Sequence, residues 1–308
     1  MNAAHFNYSP AVAEALDRGL PIVALETTIL THGMPYPQNL ETARAVEADV
    51  RAGGAVPATI AVLSGSVHVG LDDGRLEELA TAHDVLKLSR ADLPYALARR
   101  RSGATTVAAT MICAHRAGIA VFATGGIGGV HRGAENSFDV SADLTELSRT
   151  PVIVVCAGAK ALLDLPKTLE VLETLGVGVG TYQSDEFPAF WSRVSGLRTP
   201  LRFDDVEDVV EAFAAARALG FENGLLVANP VPSEAEIPND VMTGVIARAV
   251  KESARHGISG KAVTPWLLER IRHLTGGHSL GANIALVRNN ARLAAAIATA
   301  LTQNRRFR

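Results

Sequence analysis

Residues 119–160 read IAVFATGGIGGVHRGAENSFDVSADLTELSRTPVIVVCAGAK. Two short apolar runs, IAVFAT (119–124) and PVIVVCAG (151–158), bracket the stretch, and neither shows the polar alternation of a half-exposed strand. Runs of that kind predict strands buried on both faces, as in a parallel sheet covered by helices. The first run opens into Thr124-Gly-Gly-Ile-Gly-Gly, followed by His131 and Arg132 and then by the alternating Asp139, Ser141 and Asp143. The second ends at Lys160.

The same grammar extends outward. PAVAEALDRG (10–19) predicts an amphipathic helix with Val12, Ala15 and Leu16 on one face, and PIVALETTI (21–29) a buried strand. ETARAVEADVRAGG (41–54) is a helix closed by glycines, and ATIAVLSGSVHVGL (58–71) a strand, a glycine turn and a second strand. Residues 77–82 predict a short helix and VLKLS (85–89) a strand. One or two helices are expected over 96–118. Strands follow at 177–183 and 224–231 with a helix at 205–220 between them, and helical segments at 239–255 and 283–302 close the chain. Strands alternating with helices predict one three-layer α/β/α domain over residues 1–308 with a mostly parallel central sheet. Ligands of such sheets bind beyond the carboxyl ends of strands, where Glu26, the 124–129 turn and Lys160 fall.

Composition narrows the function. Of 308 residues, 48% are hydrophobic, enough for a large core, and the net charge of −3 indicates neither a nucleic-acid nor a membrane surface. No apolar run approaches the ~20 residues of a membrane span, and the first residues lack a basic leader before an apolar stretch. Cys113 and Cys156 lie in apolar surroundings without a CxxC partner, which predicts reduced thiols, no structural zinc and a cytoplasmic location.

Several residues invite chemistry, each beside a plainer reading. Burial at a strand end favours an uncharged Lys160 amine able to form a Schiff base with a sugar aldehyde; the alternative is a surface lysine snorkelling from the strand end. Glu26 after Val-Ala-Leu is a candidate general acid or base, or the cap of a local turn. Asp139, Ser141 and Asp143, if extended, share one side and offer oxygen ligands to Mn²⁺ or Mg²⁺; a surface Asx or Ser turn is the alternative. The glycine turn offers amides to an anion, with His131 and Arg132 nearby, or is simply backbone geometry. It is neither a dinucleotide fingerprint nor a phosphate loop of the GxxxxGK[ST] kind. Lys87 and Arg90 can hold a phosphate or be surface charge.

Taken together, ALETTILTHGMPYPQN, KLSRADLP, SGATTVAATM, FATGGIGGVHRGAENSFDVSADL, VVCAGAKALLDLPKTLE, GTYQSDEFPAF and GGHSLGANIALVRNNARLA occur in an order that resembles the pseudouridine-5′-phosphate glycosidases, the indigoidine synthase A-like family, from about Val12 to Ala300. The resemblance implies reversible cleavage of the C–C glycosidic bond of pseudouridine 5′-phosphate to uracil and ribose 5-phosphate, in pseudouridine catabolism. It implies Lys160 as nucleophile, Glu26 as proton donor and Asp139 as ligand of one Mn²⁺ or other divalent ion per subunit. Lys87, Val107, Ser141, Ala142 and Asp143 match substrate contacts, with His131 assigned to the phosphate and Asn283 to the substrate as well. A cytoplasmic homotrimer is implied, with small-molecule partners only. Three rivals stand beside it: a Schiff-base aldolase acting on another sugar phosphate, a non-catalytic sugar-phosphate sensor, and a dinucleotide oxidoreductase, whose glycine pattern is lacking.

Overall fold

A computed structural model describes residues 5–258 and 263–304. Its eleven strands are β1 (Phe6–Tyr8), β2 (Ile22–Leu25), β3 (Val56–Leu63), β4 (Ser66–Val69), β5 (Leu86–Leu88), β6 (Gly103–Thr105), β7 (Val121–Ala123), β8 (Ile153–Cys156), β9 (Gly178–Tyr182), β10 (Leu201–Phe203) and β11 (Leu225–Ala228). They form one sheet in the order β1-β4-β3-β2-β7-β8-β11-β9-β10, with β6 branching from β3 and β5 from β6. From β3 to β10 every neighbour is parallel; β3 is antiparallel only to β4 and β6. The expected α/β fold with a mostly parallel sheet is what the chain adopts. All four residues of β2, of β8 and of β11 are buried, as unbroken apolar runs require.

Helices cover the sheet. The 26-residue helix His278–Gln303 lies across β2, β7 and β8 and against the helix Gln38–Ala52, while Val107–Arg116 packs on β2, β3 and β7. The helix Pro10–Arg18 buries Val12 and Ala15, with Leu16 half-buried, and takes its start from Ser9, whose hydroxyl accepts the Val12 amide. The β3–β4 hairpin turns on Ser64 and Gly65, both left-handed at φ 49° and 79°.

Several boundaries depart from the sequence expectation. The strand expected over 21–29 stops at Leu25, and Ile29–Gly33 is a π turn. Within 96–118, expected to be helical, Gly103–Thr105 is strand β6 between two helices. Three residues are too few to show a period; β6 exists because β3 and β5 flank it and because the Thr27 hydroxyl accepts its Thr105 amide at 2.9 Å. The edge strands β1 and β10 and the helix Val263–Leu274 lie outside the elements that the sequence predicts.

The chain leaves β2 towards β3 on one side and returns as β7 on the other, so β2 and β7 form a switch point of the sheet. A crevice opens beyond the carboxyl ends of strands at such a point.

Candidate active site

That crevice is a cavity of about 520 Å³. All ten residues singled out by the sequence (Glu26, Lys87, Val107, His131, Asp139, Ser141, Ala142, Asp143, Lys160 and Asn283) line it.

Glu26 follows the last residue of β2 and is 9% exposed. Its two carboxylate oxygens each accept a threonine hydroxyl, Thr28 on one and Thr124 on the other. This explains the short strand: at Glu26 the chain turns its polar groups inward, and the Thr27 hydroxyl donates to the Ile60 carbonyl of β3 at 2.8 Å. Thr124 is itself fixed, its amide to the Val155 carbonyl at 3.0 Å and its carbonyl to the fully buried Asn290 side chain at 2.8 Å.

Lys160 hangs from a continuation of the β7–β8 pairing. Beyond the strand ends the Ala157 amide reaches the Gly125 carbonyl at 2.9 Å, the Ile127 amide the Gly158 carbonyl at 3.1 Å, and the Lys160 amide the Ile127 carbonyl at 3.1 Å. The glycine turn and the lysine are therefore rungs of one ladder. Glycine is required at 126, where a Cβ would stand 2.7 Å from the Phe190 ring. Lys160 is half-buried, and among the described residues no carboxylate lies in ion-pair range of its ammonium. Burial pushes the Cys156 thiol up to about 12, with the Lys160 charge pulling the other way, so it is no competing thiolate.

The Asp139–Asp143 stretch corrects one expectation. It is not an extended segment with three oxygens on one side. Ser141 caps the helix Ala142–Leu147, its hydroxyl accepting the Asp143 amide at 3.2 Å. Asp143 is 6% exposed and gives one oxygen to the Ala108 amide at 2.9 Å and the other to the Gly128 amide at 2.8 Å. It thus ties the glycine turn to the start of the helix Val107–Arg116, each oxygen accepting one backbone amide. The bridge between Val130 and Val140 brings His131 back to Asp139, with Nδ1 3.8 Å from Oδ2. Among the described residues no three His, Cys, Asp or Glu side chains converge on one point. Asp139, its side chain 46% exposed, fits a hard divalent ion that keeps most of its waters and is held by one carboxylate.

Lys87 projects from β5, and its charge, after burial, pushes the neighbouring His32 imidazole below its ordinary range, opposed by a bond to the Val85 backbone. Arg90 is not among the residues lining the cavity; it grips the buried Glu146 carboxylate through Nε and one terminal nitrogen at 2.6 and 2.8 Å. Arg132 points away as well, donating to the Leu162 carbonyl at 3.3 Å. Asn283 accepts the Trp191 indole N–H at 2.7 Å through Oδ1. Ile29, Met34, Phe190, Leu268 and Leu286 form apolar wall that sequence reasoning missed, because loop and helix aliphatics look like any core residue. Phe190 adopts a left-handed φ of 64°, which no composition signal announces.

Among the described residues no helix is long and apolar enough to cross a membrane. The profile of the family described as indigoidine synthase A like protein matches residues 11–300. Proteins named pseudouridine-5′-phosphate glycosidase are similar over nearly the full length. That of Paracoccus denitrificans is 64% identical over 95% of this chain and 97% of its own, and that of Methylobacterium nodulans 62% identical over 96% and 88%. Among solved structures, a prealnumycin C-glycosynthase in complex with ribulose 5-phosphate superposes with a TM-score of 0.90 at 37% identity, covering 97% of this chain and 98% of that one. An indigoidine synthase A-like protein of Thermotoga maritima gives 0.89 at 35% identity, covering 98% of each.

Proposed function

Since the chain belongs to the indigoidine synthase A-like family and proteins 62–64% identical to it are named pseudouridine-5′-phosphate glycosidase, we propose that it cleaves pseudouridine 5′-phosphate reversibly to uracil and ribose 5-phosphate through a covalent adduct on Lys160. One observation carries the reading: the Lys160 amine, mounted on the extended β7–β8 ladder, and the Glu26 carboxyl, at the end of β2, face one cavity.

The leaving atom is a carbon of uracil, so protonating an oxygen or nitrogen leaving group, as ordinary glycosidases do, is not enough. The Lys160 amine attacks C1′, and the bond from C1′ to the ring oxygen breaks as Glu26 gives that oxygen its proton. The proton shed by the attacking nitrogen returns to the Glu26 carboxylate. The nitrogen lone pair then drives out C5 of uracil while Glu26 protonates it, leaving an iminium between Nζ and C1′. Water hydrolyses the iminium to ribose 5-phosphate and the free amine, and the proton released returns to the Glu26 carboxylate. Thr28 and Thr124 hold the Glu26 carboxyl in one orientation for both deliveries.

Lys87, Val107, His131, Ser141, Ala142 and Asn283 line the same cavity and are assigned to the substrate, His131 to its phosphate. Asp143 serves the same pocket through the two amides it fixes. Asp139 would hold Mn²⁺ or a similar ion, which when bound supplies charge to orient and polarise the substrate. The single domain, the homotrimer and the cytoplasmic location belong to the same reading and rest on the family; the one continuous sheet also supports the first. A sugar-phosphate sensor would leave the amine and the acid without a task, and an aldolase would not release uracil.

The test is borohydride trapping with ribose 5-phosphate, followed by peptide mapping, together with uracil release from pseudouridine 5′-phosphate. An adduct confined to the Lys160 peptide is expected. An adduct on any other lysine, or uracil release by Lys160→Ala at the parent's rate, refutes the covalent route.

A further inference from the structure

Asn283 and Trp191 meet at the edge of the large cavity. Asn283 lines it, whereas Trp191 is 1% exposed and stands behind the wall. An indole N–H only donates. That of Trp191 lies 2.7 Å from the Asn283 amide, with the Ser279 carbonyl as a second acceptor at 3.2 Å. The atom facing it is therefore Oδ1, and turning the amide over would set two donors against each other. Trp191 has no freedom to follow such a turn. Its ring meets Phe190 edge to face, with centroids 5.0 Å apart at 76°, and its carbonyl accepts the Ile237 amide at 2.9 Å. Phe190 in turn fills the space that Gly126 leaves open, and its amide is bonded to the Ala157 carbonyl at 3.2 Å.

What remains of the amide is Nδ2, a donor. Among the described residues it has no hydrogen-bond partner. It is not sealed away either, because Arg217 Nε is the one buried side-chain polar atom left unpaired among those residues. Nδ2 is thus an unspent donor on the cavity wall. Its surroundings are apolar. A Cβ on Gly125 would stand 3.5 Å from Leu286 and 3.9 Å from the Phe190 ring, so both side chains reach that glycine. Leu286 follows Asn283 by three residues on the helix His278–Gln303, which puts the two on one face. A corner built from an aromatic ring and an aliphatic chain suits a flat base better than a sugar phosphate.

We propose that Trp191 locks the Asn283 amide so that it presents only a donor to the nucleobase, and that this lock selects a base with a carbonyl oxygen at the contacted edge over one with an amino group there. The inference rests on the activity proposed above, which makes that base uracil. Trp191 is a positioning residue: it acts through Asn283 from behind the cavity wall. An unlocked amide offers either its NH₂ or its oxygen, so an amino base loses no hydrogen bond and discrimination falls. A locked one meets the amino group donor to donor.

The experiment is calorimetric titration of the protein with uracil, cytosine and isocytosine, the last two carrying an amino group in place of one or the other uracil carbonyl. The parent is expected to bind one of these amino bases at least about tenfold more weakly than uracil. Trp191→Phe keeps a ring in place and removes the N–H. It should bind uracil about three- to tenfold more weakly, bind that amino base no worse than the parent does, and so lose most of the discrimination. Its KM for pseudouridine 5′-phosphate should rise while kcat stays within about twofold. Asn283→Asp keeps the acceptor for Trp191 and replaces Nδ2 by a second acceptor, so it should prefer the amino base to uracil. The ratio of affinities is a readout that a mere loss of stability does not move, and Asn283→Asp decides the matter should Trp191→Phe not fold. A parent that binds the three bases alike, or none of them, overturns the inference. So does a Trp191→Phe with the parent's discrimination, or an Asn283→Asp that still prefers uracil. A parent that shows the selectivity but releases no uracil from pseudouridine 5′-phosphate refutes the activity reading and leaves the lock standing.

Discussion

Asp143→Asn should unfold more easily and work poorly, although it changes one atom. Asp143 is 6% exposed and accepts the Ala108 amide at 2.9 Å and the Gly128 amide at 2.8 Å, one on each oxygen. Hydrogen bonds to a charged group contribute about 1.5–3 kcal/mol each, and an orphaned buried donor costs about 1–3 kcal/mol. Asparagine keeps one carbonyl oxygen but sets its NH₂ against the second amide, so one bond is lost and two donors face each other. The net cost is about 2–4 kcal/mol. With an unfolding entropy of about 2.1 cal/mol/K per residue, a protein of 308 residues loses about 1.5 °C of Tm per kcal/mol, so thermal unfolding followed by circular dichroism should show a drop of about 3–6 °C. The same change frees Gly128 and the start of the helix Val107–Arg116, both at the cavity wall, so uracil release at 25 °C should fall as well. An Asp143→Asn protein with the parent's Tm would show that the two amides find other partners, and the anchoring role would be wrong.

Asn290→Leu removes the bond to the Thr124 carbonyl at 2.8 Å and the one received from Asn229 at 3.1 Å, all buried. It should cost about 2–4 kcal/mol in denaturant unfolding and lower kcat, because Thr124 carries Glu26. Gly128→Ala places a Cβ 2.7 Å from Asp143 Oδ2 and closer still to the Ser141 hydroxyl. About 1–3 kcal/mol of overpacking and a marked loss of uracil release are expected, whereas the open position Gly244 should accept alanine silently. Glu252 is held at about 2 from an ordinary value of 4.5, first by its bond to Arg270 and then by Arg248. A carboxylate depressed on folding stabilises the protein above its unfolded value and loses that contribution as pH falls through the folded one. The Tm deficit of Arg270→Ala should therefore be full at pH 7 and shrink between about pH 4.5 and 2; a deficit constant across that range would contradict the pairing.

Much of this architecture is legible from periodicity. β2, β8 and β11 announce themselves as unbroken apolar runs, and the helix Val206–Ala218 falls inside the segment read as 205–220. What fails is whatever tertiary contact creates. β6 is a strand only because β3 and β5 flank it, and β1 and β10 are three-residue edges. At the site, spacing identified which residues gather but not how they are used. Strict alternation made Asp139, Ser141 and Asp143 look equivalent, yet a helix begins at Ala142 and turns Asp143 inward to the main chain while Asp139 stays open. Arg90 resembles a phosphate partner in sequence because Glu146, which takes two of its three nitrogens, lies 56 residues away.

The ladder that continues past β7 and β8 makes the lysine and the glycine loop a single part. Neither loop can drift in evolution without dragging the other, so drift there should come in matched pairs of substitutions. A designer wishing to transplant this amine into another parallel sheet would have to lift both loops, with their two parent strands, as one cassette.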